Sequence, residues 1–253
     1  MEEGTMPVKD PIGDRMKRQY ENRARFYLTR RSFTIIRIDG KSFHTWTKGL
    51  ERPYDVQLTE SMASAAGQCF RDFMGCKLAY GQSDEYSFVL TDFDKIETEA
   101  WFDGNMQKMA SVASSTFTAH FNKFALVQWP NKPPAIFDAR VFQIPDYEEV
   151  LNYFVWRQQD AERNSLSMLA QANYSHKQLH GKGRVDLHEL LHAKGVNWAL
   201  QPDSFKRGTV LYREGFTGQL LTVSAPIFTQ SRSWMKQHIP EHWQEDRIVV
   251  GTV

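Results

Sequence analysis

The sequence predicts an α/β fold, of the α+β kind, built on a βαββαβ unit. An apolar run at residues 33–38 ends in Asp-Gly, as a strand does before a turn. Two more apolar runs, within residues 76–90, flank four polar residues, and helix-like stretches separate the strands. This order is the ferredoxin-like arrangement, in which the first and third strands can lie side by side at the centre of the sheet.

The first strand and the first long helix have clear sequence signals. "RSFTIIRIDG" is rich in Ile and Phe and is stopped by Asp39 and Gly40. The segment that follows, "VQLTESMASAAGQCFRDFMG", has its apolar residues on one side and Gly75 as its stop. We therefore predict a strand, a turn and an amphipathic helix.

The next segment, "CKLAYGQSDEYSFVL", predicts a β-hairpin with residues 82–85 at or near its turn. A helix is predicted from about Trp101 to Leu126, and a Pro-rich turn leads from it to the strand "AIFDARVFQI".

The second half of the chain is predicted to be mainly helical. After Pro145 come a long helical stretch, further helices and one returning strand, "GTVLYRE". Because no linker interrupts the chain, we expect two packed units. These are a catalytic core with a basic N-terminal helix, residues 1–145, and a helical lobe packed on it, residues 146–253.

Composition and charge limit the classes of function. With 253 residues, 41% of them hydrophobic, the chain can bury a substantial core. A formal charge of +1 excludes a globally basic nucleic-acid coat protein, so an anionic partner must be met by a local patch. No signal peptide and no long apolar segment is evident, which predicts a cytoplasmic protein without a membrane partner. Cys69 and Cys76, seven apart in a predicted helix, form no CxxC motif and are interpreted as reduced core residues.

A basic stretch lies near the N-terminus. Residues 14–31 contain seven Lys or Arg and two acidic residues, with aromatic residues at helical spacing. This pattern is typical of the solvated face of an amphipathic helix, but the excess of one sign also fits a surface that faces phosphates. Both interpretations stay open.

Two acids are predicted to meet at one end of the sheet. If the first and third strands are neighbours, Asp39 and Asp84 come together in space. Paired carboxylates can hold hard divalent cations, and Gly40 lets the backbone there approach phosphates closely. Such a pair is the minimum needed for two-metal phosphoryl or nucleotidyl transfer. Taken singly, each segment is also compatible with ordinary turn chemistry.

Five segments in a fixed order resemble the tRNA-His guanylyltransferase family. They are "RIDGKSFHTW", "ERPYD", "YGQSDEYSFVL", "FDARVF" and "WRQQDAERNS". The resemblance extends from about residue 14 to about residue 214, which is most of the chain.

The resemblance implies a polymerase-like palm that adds nucleotides to the 5′ end of a tRNA in the 3′ to 5′ direction. The expected substrates are tRNA, GTP and ATP, the expected cofactors are two Mg²⁺ ions, and the expected assembly is a homotetramer. The tRNA 5′ end must be activated, as a triphosphate or by transfer of a nucleotide from ATP.

Roles for individual residues are implied by the motifs. Asp39 and Asp84 correspond to the metal-binding carboxylates, the Gly40 carbonyl to a further metal ligand, and Glu85 to the adjacent catalytic acid. The nucleotide-binding positions are Gly40, Lys41, Ser42, Phe43, His44, Arg52, Asp55 and Ser83.

One segment departs from the family pattern. Many eukaryotic members have His-Ile-Asn-Asn where this chain has residues 162–165, Glu-Arg-Asn-Ser. This resembles the bacterial and archaeal guanylyltransferase-like proteins, which look like repair enzymes. We therefore expect template-dependent repair of tRNA 5′ ends rather than strict addition of guanosine to tRNA-His.

Contacts to the tRNA backbone are expected from basic side chains, which would position the tRNA without reading its sequence. The candidates are Arg18, Arg25, Arg157, Arg163, Lys206 and Arg207.

Two other functions remain open from the sequence. His188, Glu189 and His192 form an HExxH pattern, with Glu214 as a further potential ligand, as in a zinc metalloprotease. A catalytically inactive tRNA-binding module on the same fold is the third hypothesis, although the presence of both carboxylates and Gly40 disfavours it.

Overall fold

The computed structural model describes residues 10–242, so the outer ends of both predicted units, 1–9 and 243–253, lie outside the described residues. Its strands are β1 (Phe33–Gly40), β2 (Cys76–Gln82), β3 (Glu85–Leu90), β4 (Phe137–Ile144), β5 (Thr209–Arg213) and β6 (Leu220–Ser224). Its helices are α1 (Pro11–Gln19), α2 (Phe43–Trp46), α3 (Val56–Asp72), α4 (Met106–Gln128), α5 (Tyr147–Asn173), α6 (His176–Leu179), α7 (Arg184–Ala193), α8 (Asp203–Arg207) and α9 (Arg232–His238).

One six-stranded antiparallel sheet organises the molecule, in the order β4-β1-β3-β2-β5-β6. The first four strands have the ferredoxin-like order, with β1 and β3 adjacent at the centre. The predicted α/β fold class is therefore confirmed, and β1 and β3 are neighbours, as the predicted meeting of Asp39 and Asp84 requires.

Helices cover both faces of the sheet, and the side chains of β1 pack on both sides. Ile36 and Ile38 pack with α3 and α4 on one side, while Phe33 and Ile35 pack with α5 on the other. Successive side chains of a strand point to opposite faces, so Arg37 and Asp39 lie on the α5 side. A strand buried on both sides reads as a nearly continuous apolar run, as "FTIIRI" does.

The second half contributes two strands, where one returning strand was predicted. β5 pairs with β2, and β6 extends the sheet beyond it. The helices α5, α7 and α8 form a separate small core around Leu166 and Leu191. The division at residue 145 stays a prediction. Among residues 10–242 no helix is long and apolar enough to cross a membrane.

Two local predictions were wrong. The basic stretch is not one helix, because α1 ends at Gln19 and a short 3-10 turn, Glu21–Ala24, follows before the chain becomes extended. Cys76 is not helical but begins β2, since α3 ends at Asp72. Both cysteines are free, and burial raises the pKa of each thiol, so they are unreactive core or near-core residues.

Candidate active site

The end of β1 and the β2–β3 turn meet, as the strand order predicts. Asp39 lies opposite Glu85 on β3 and opposite Asp138 on β4. The amide of Gly40 donates a hydrogen bond to the carbonyl of Asp84, with an N···O distance of 3.1 Å. Asp39 and Asp84 are therefore held on neighbouring backbone segments at one end of the sheet, which we call the acid edge.

Tight backbone geometry sets the position of both acids. Ser83 occupies the left-handed region, with φ of 58°, in the two-residue turn that carries Asp84, and Ser42 does so with φ of 53° just after Gly40. A Cβ atom at Gly40 would lie 2.4 Å from the ring of Phe43 and 3.0 Å from the Cβ of Asp84. Only glycine allows this close approach of the two segments.

The acid edge carries negative charge that the protein compensates poorly. Burial and the nearby charge of Asp138 raise the pKa of Asp39, whose nearest guanidinium, that of Arg140, is 3.8 Å away. Burial, with a contribution from the charge of Asp39, raises the pKa of Asp84. Within the described residues the Asp84 carboxylate makes no ion pair, and it accepts a hydrogen bond from Ser83 Oγ at 3.1 Å. The site therefore favours a cation.

Glu85, by contrast, is engaged by the protein itself. The guanidinium of Arg157 donates two hydrogen bonds to its carboxylate, from Nε at 2.7 Å and from Nη2 at 2.8 Å. Arg157 also pairs with Asp160 at 3.2 Å and lies over the ring of Trp156. Burial raises the pKa of Glu85, although Arg157 and Arg37 oppose the effect. We call Glu85, Arg157 and Asp160 the ion-pair network.

A cavity of about 470 Å³ lies on one side of the acid edge. It is lined by segments that are distant in the sequence, from the turn after β1 to the C-terminal end of α5. Of the positions implied for nucleotide binding, it is lined by Gly40, Ser42, Phe43, His44, Arg52, Asp55 and Ser83. Lys41 is exposed on the same turn but is not part of the lining.

Some of these lining residues have structural roles. The Asp55 carboxylate caps α3 by accepting the Leu58 amide at 2.9 Å. Phe43 is buried and stacks on Trp46, with 5.1 Å between ring centroids. His44 and Arg52 are exposed, so their side chains are free to reach a ligand in the cavity.

A second, more polar cavity of about 380 Å³ lies on the α5 side of the acid edge. This second cavity, but not the first, is lined by Asp39, Glu85 and Arg157. Both cavities are lined by Ser83, Asp84, Met168 and Gln171. Asp84 thus lies at the junction of the two cavities, with Asp39 beside it in the second, as suits a site that joins two substrates.

Sequence reasoning missed Asp138 and most of the α5 residues that line these cavities, although it named Arg157 as a candidate tRNA contact. Asp138 lies within the quoted "FDARVF" segment, but its position beside Asp39 depends on the register of β1 and β4. Asn164, Met168 and Gln171 have the i, i+4, i+7 spacing of one helix face, a signal that could have identified them.

The basic residues expected to contact tRNA fall into two groups. Arg18, Arg25 and Arg163 are exposed, although Arg25 pairs with Glu21 and Arg163 pairs with Asp160 at 2.9 Å. Lys206 is buried and donates to the carbonyl of Ala199 at 2.6 Å. Arg157 and Arg207 are bound to acids, Arg207 to Asp203 at 2.6 Å.

The oxygen donors at the acid edge fit a hard divalent cation. Two carboxylates and a neighbouring backbone carbonyl are typical Mg²⁺ ligands, and Mg²⁺ takes its remaining ligands from water and substrate phosphates. Among residues 10–242 no group of three or more His, Cys, Asp or Glu side chains is arranged to hold a metal. This finding gives no support to a zinc site at His188, His192 and Glu214.

Comparisons with known proteins point to one family. The family model "Thg1: tRNAHis guanylyltransferase" matches residues 13–145. A tRNA(His) guanylyltransferase of Schizosaccharomyces pombe is 31% identical in an alignment of 216 residues that covers 78% of this chain and 78% of that protein.

Two solved structures of bacterial tRNA(His) guanylyltransferase (Thg1)-like protein are similar to this chain. One, in complex with ATP, is 44% identical with a TM-score of 0.85, over 90% of this chain and 98% of that one. The other, in complex with GTP, is 39% identical with a TM-score of 0.78, over 91% of this chain and 100% of that one.

Proposed function

The chain belongs to the tRNA(His) guanylyltransferase (Thg1) family of nucleotidyltransferases, and we propose that it adds nucleotides to tRNA 5′ ends in the 3′ to 5′ direction. We propose template-dependent repair of truncated 5′ ends as its main role. One observation carries the proposal: Asp39 and Asp84 meet at one end of the sheet, where Asp84 lines both cavities and Asp39 lines the second. That arrangement suits a reaction between two substrates that approach from opposite sides.

In this proposal the larger cavity receives the nucleoside triphosphate. Its volume of about 470 Å³ is within the range of small-molecule sites. The amides of the left-handed turn at Ser42, with His44 and Arg52, would bind the triphosphate and base. Relatives bound to ATP and to GTP support this class of substrate.

The tRNA 5′ end would enter the second cavity. The 3′-hydroxyl of the incoming nucleotide attacks the 5′-terminal phosphorus, a P–O bond forms, and its proton is lost to solvent. The bond to the leaving group breaks, which releases pyrophosphate from a triphosphorylated end or AMP from an adenylylated one. Two Mg²⁺ ions held by Asp39, Asp84 and the Gly40 carbonyl would neutralise the phosphate charge when bound. Glu85 and Arg157 would keep the β3 side of the site in place.

Repair is favoured over maturation by residues on α5. Glu162 and Arg163 stand where many eukaryotic relatives carry His-Ile, and Asn164 and Gln171 line the second cavity. Polar amides beside the entering 5′ end can tolerate different base pairs through alternative hydrogen bonds. We therefore expect the opposing base of the tRNA to select the nucleotide.

The decisive experiment measures nucleotide incorporation onto two labelled tRNAs with Mg²⁺ and each NTP. One is a tRNA-His that lacks only its extra guanosine, and the other is a non-His tRNA that lacks its first nucleotide. We expect extension of the truncated tRNA by the nucleotide complementary to the opposing base. Activity confined to tRNA-His and GTP would replace repair by maturation, and extension of neither would refute nucleotide addition.

Contacts to the tRNA backbone are proposed for the exposed arginines Arg18, Arg25 and Arg163. Lys206 and Arg207 already bind partners in the protein, so their contribution should be smaller. Each phosphate contact that is removed lowers the steepness of the plot of log binding constant against log salt concentration by about one. Filter binding over a salt series should show this for Arg18→Ala and should not show it for Lys206→Met.

A homotetramer is proposed for the assembly, because the family resemblance implies it.

A further inference from the structure

One tryptophan of α5 is exposed to solvent. Trp156 is 48% exposed, whereas the other tryptophans among residues 10–242 are buried or half-buried. Its ring meets the buried ring of Tyr153 edge-on, with 5.9 Å between the ring centroids. A large aromatic ring that stays half in water gives the fold less than a buried one does, so its position suits contact with a ligand.

Trp156 lies at the rim of the second cavity. Asp160 and Ser167 of α5 line that cavity, and Trp156 lies four residues before Asp160, on the same side of the helix. Arg157 also lines the cavity, and the centre of its guanidinium is 4.6 Å from the centre of the Trp156 ring. The ring is therefore next to the space proposed for the tRNA 5′ end but is not part of its lining.

The rim is accessible from the edge of the sheet. Tyr153, which supports the Trp156 ring, also contacts Phe142 of β4, with 5.7 Å between ring centroids. In the strand order β4 is the edge strand, so no further strand of the sheet covers this side. A long polymer can reach Trp156 from there.

A basic side chain accompanies the ring. Arg163 follows Trp156 by seven residues, which places it on the same side of α5 two turns further along. The guanidinium of Arg163 is 55% exposed, and its ion pair with Asp160 is of the exposed kind that contributes little, so a phosphate can replace the carboxylate. An aromatic ring beside a cation is the combination with which proteins bind unpaired nucleotides.

We propose that Trp156 stacks on the tRNA 3′ strand, on the first base beyond the one that opposes the incoming nucleotide. This inference rests on the proposed function, in which the tRNA 5′ end occupies the second cavity. At the acceptor end of a tRNA the 3′ strand runs beside the 5′ end and continues past it as unpaired nucleotides, so it passes the rim of that cavity. The indole ring accepts any base, because every base has a π-face.

Trp156 is thus a positioning residue for the templating strand. Stacking of the next base on the ring fixes the 3′ strand, and the opposing base is then held in place for pairing with the incoming nucleotide. The contact involves neither the triphosphate nor the acid edge. Its loss should therefore change the KM for tRNA and leave the KM for the nucleotide as it is.

The test compares two RNA substrates. Both are a tRNA that lacks its first nucleotide, and the 3′ strand of one is complete while that of the other ends at the opposing base. We expect Trp156→Ala to raise the KM for the complete RNA about tenfold and to leave the KM for the shortened RNA unchanged, because one stacked base is lost. Trp156→Phe keeps an aromatic ring and should recover most of the loss.

Two controls separate stacking from folding. Trp156→Leu keeps an apolar cover for Arg157 without a π-face, so it should behave like Trp156→Ala while its urea unfolding matches the wild type. Val127→Ala removes a 77% exposed apolar side chain from α4, on the other face of the sheet, and should keep the wild-type KM for both RNAs.

A binding measurement makes the test independent of catalysis. Stacking on a base quenches tryptophan fluorescence, so the complete RNA, added without nucleotide, should quench the wild type more strongly than Trp156→Phe. Quenching that depends on Trp156 in a chain that adds no nucleotide would refute the proposed function and support the stacking contact. Equal KM values of the wild type and Trp156→Ala for the complete RNA, or a raised KM for the nucleotide instead, would overturn the inference.

Discussion

Asp84 and Glu85 are adjacent in the sequence, yet their surroundings are opposite. At the acid edge, burial and like charge raise the pKa values of Asp39 and Asp84, and Asp84 forms no ion pair among the described residues. In the ion-pair network, Glu85 receives both arms of the Arg157 guanidinium. The negative charge of the acid edge is left uncompensated and can bind a cationic ligand. The charge of Glu85 in the network is already neutralised by Arg157.

The difference teaches how to separate a functional acid from a structural one. A half-buried carboxylate without a cation costs stability, so its position is explained best by a ligand that binds there. The charge of a carboxylate with a bidentate arginine is compensated within the protein, and the catalytic role predicted for Glu85 stays a prediction. We therefore expect the acid edge to control activity and the network to control stability, and four experiments examine this division.

The largest effect is expected from removal of one acid at the acid edge. Asp39→Asn or Asp84→Asn deletes a metal ligand, whose charge stabilisation is worth several kcal/mol, so nucleotide transfer should fall on the order of 10³-fold. Circular dichroism should show an unchanged fold. Glu189→Gln is the matched control, because it removes a carboxylate from the HExxH pattern and should leave transfer intact. Loss of the fold in both edge variants would mean that these acids are structural.

The next largest effect is expected at Gly40. In Gly40→Ala the new methyl group would lie 2.4 Å from the Phe43 ring and 3.0 Å from the Cβ of Asp84, so the ring must shift and the two acid-bearing segments must separate by a few tenths of an ångström. A shift of about 1 Å at a reacting centre can cost 10²-fold in rate, so this smaller shift should cost on the order of tenfold. Steady-state kinetics should show this loss in kcat. Gly215→Ala, which has open space around the added Cβ, should behave like the wild type.

A smaller effect, on stability, is expected in the ion-pair network. Arg157→Met leaves Glu85 with only the Arg37 guanidinium, 3.8 Å away, and should cost about 2 kcal/mol of unfolding free energy. This is less than for a fully buried pair, because Arg37 remains and both side chains keep some exposure. Adding Glu85→Gln should recover part of this loss. Arg163→Met, an exposed arginine on the same helix, is the control. Additive losses in a double-mutant cycle by urea unfolding would show that the pair is not coupled.

The sequence predicted the acid edge because strand order and turn positions are local signals. The β-hairpin at residues 76–90 and the end of β1 could be read from apolar runs, and their convergence followed from the βαββαβ order. Nothing in those signals distinguished Glu85 from Asp84. That distinction depends on Arg157, 72 residues further on, and on the rotation of α5 over the sheet.

The sequence also could not predict which charged side chains are buried. Lys206 and Arg207 are spaced like a surface patch, but α8 packs against α5 and Lys206 turns inward to the Ala199 carbonyl. The strand β6 escaped prediction because five residues with an exposed outer half give a weak apolar signal. Tertiary packing decided each of these cases.

The smallest effect is a gain in stability at the acid edge. Because the pKa of Asp84 is raised in the folded state, its stabilising contribution is complete below the ordinary carboxylate pKa and is lost as the pH rises through the raised value. Without divalent ions, Asp84→Asn should therefore raise the Tm at neutral pH by a few degrees, and the difference should vanish at low pH. Added Mg²⁺ should raise the Tm of the wild type and leave that of the variant nearly unchanged. A variant less stable than the wild type at neutral pH, measured by calorimetry with a chelator present, would show that the acid edge is compensated like the network and that the division between the two regions is wrong.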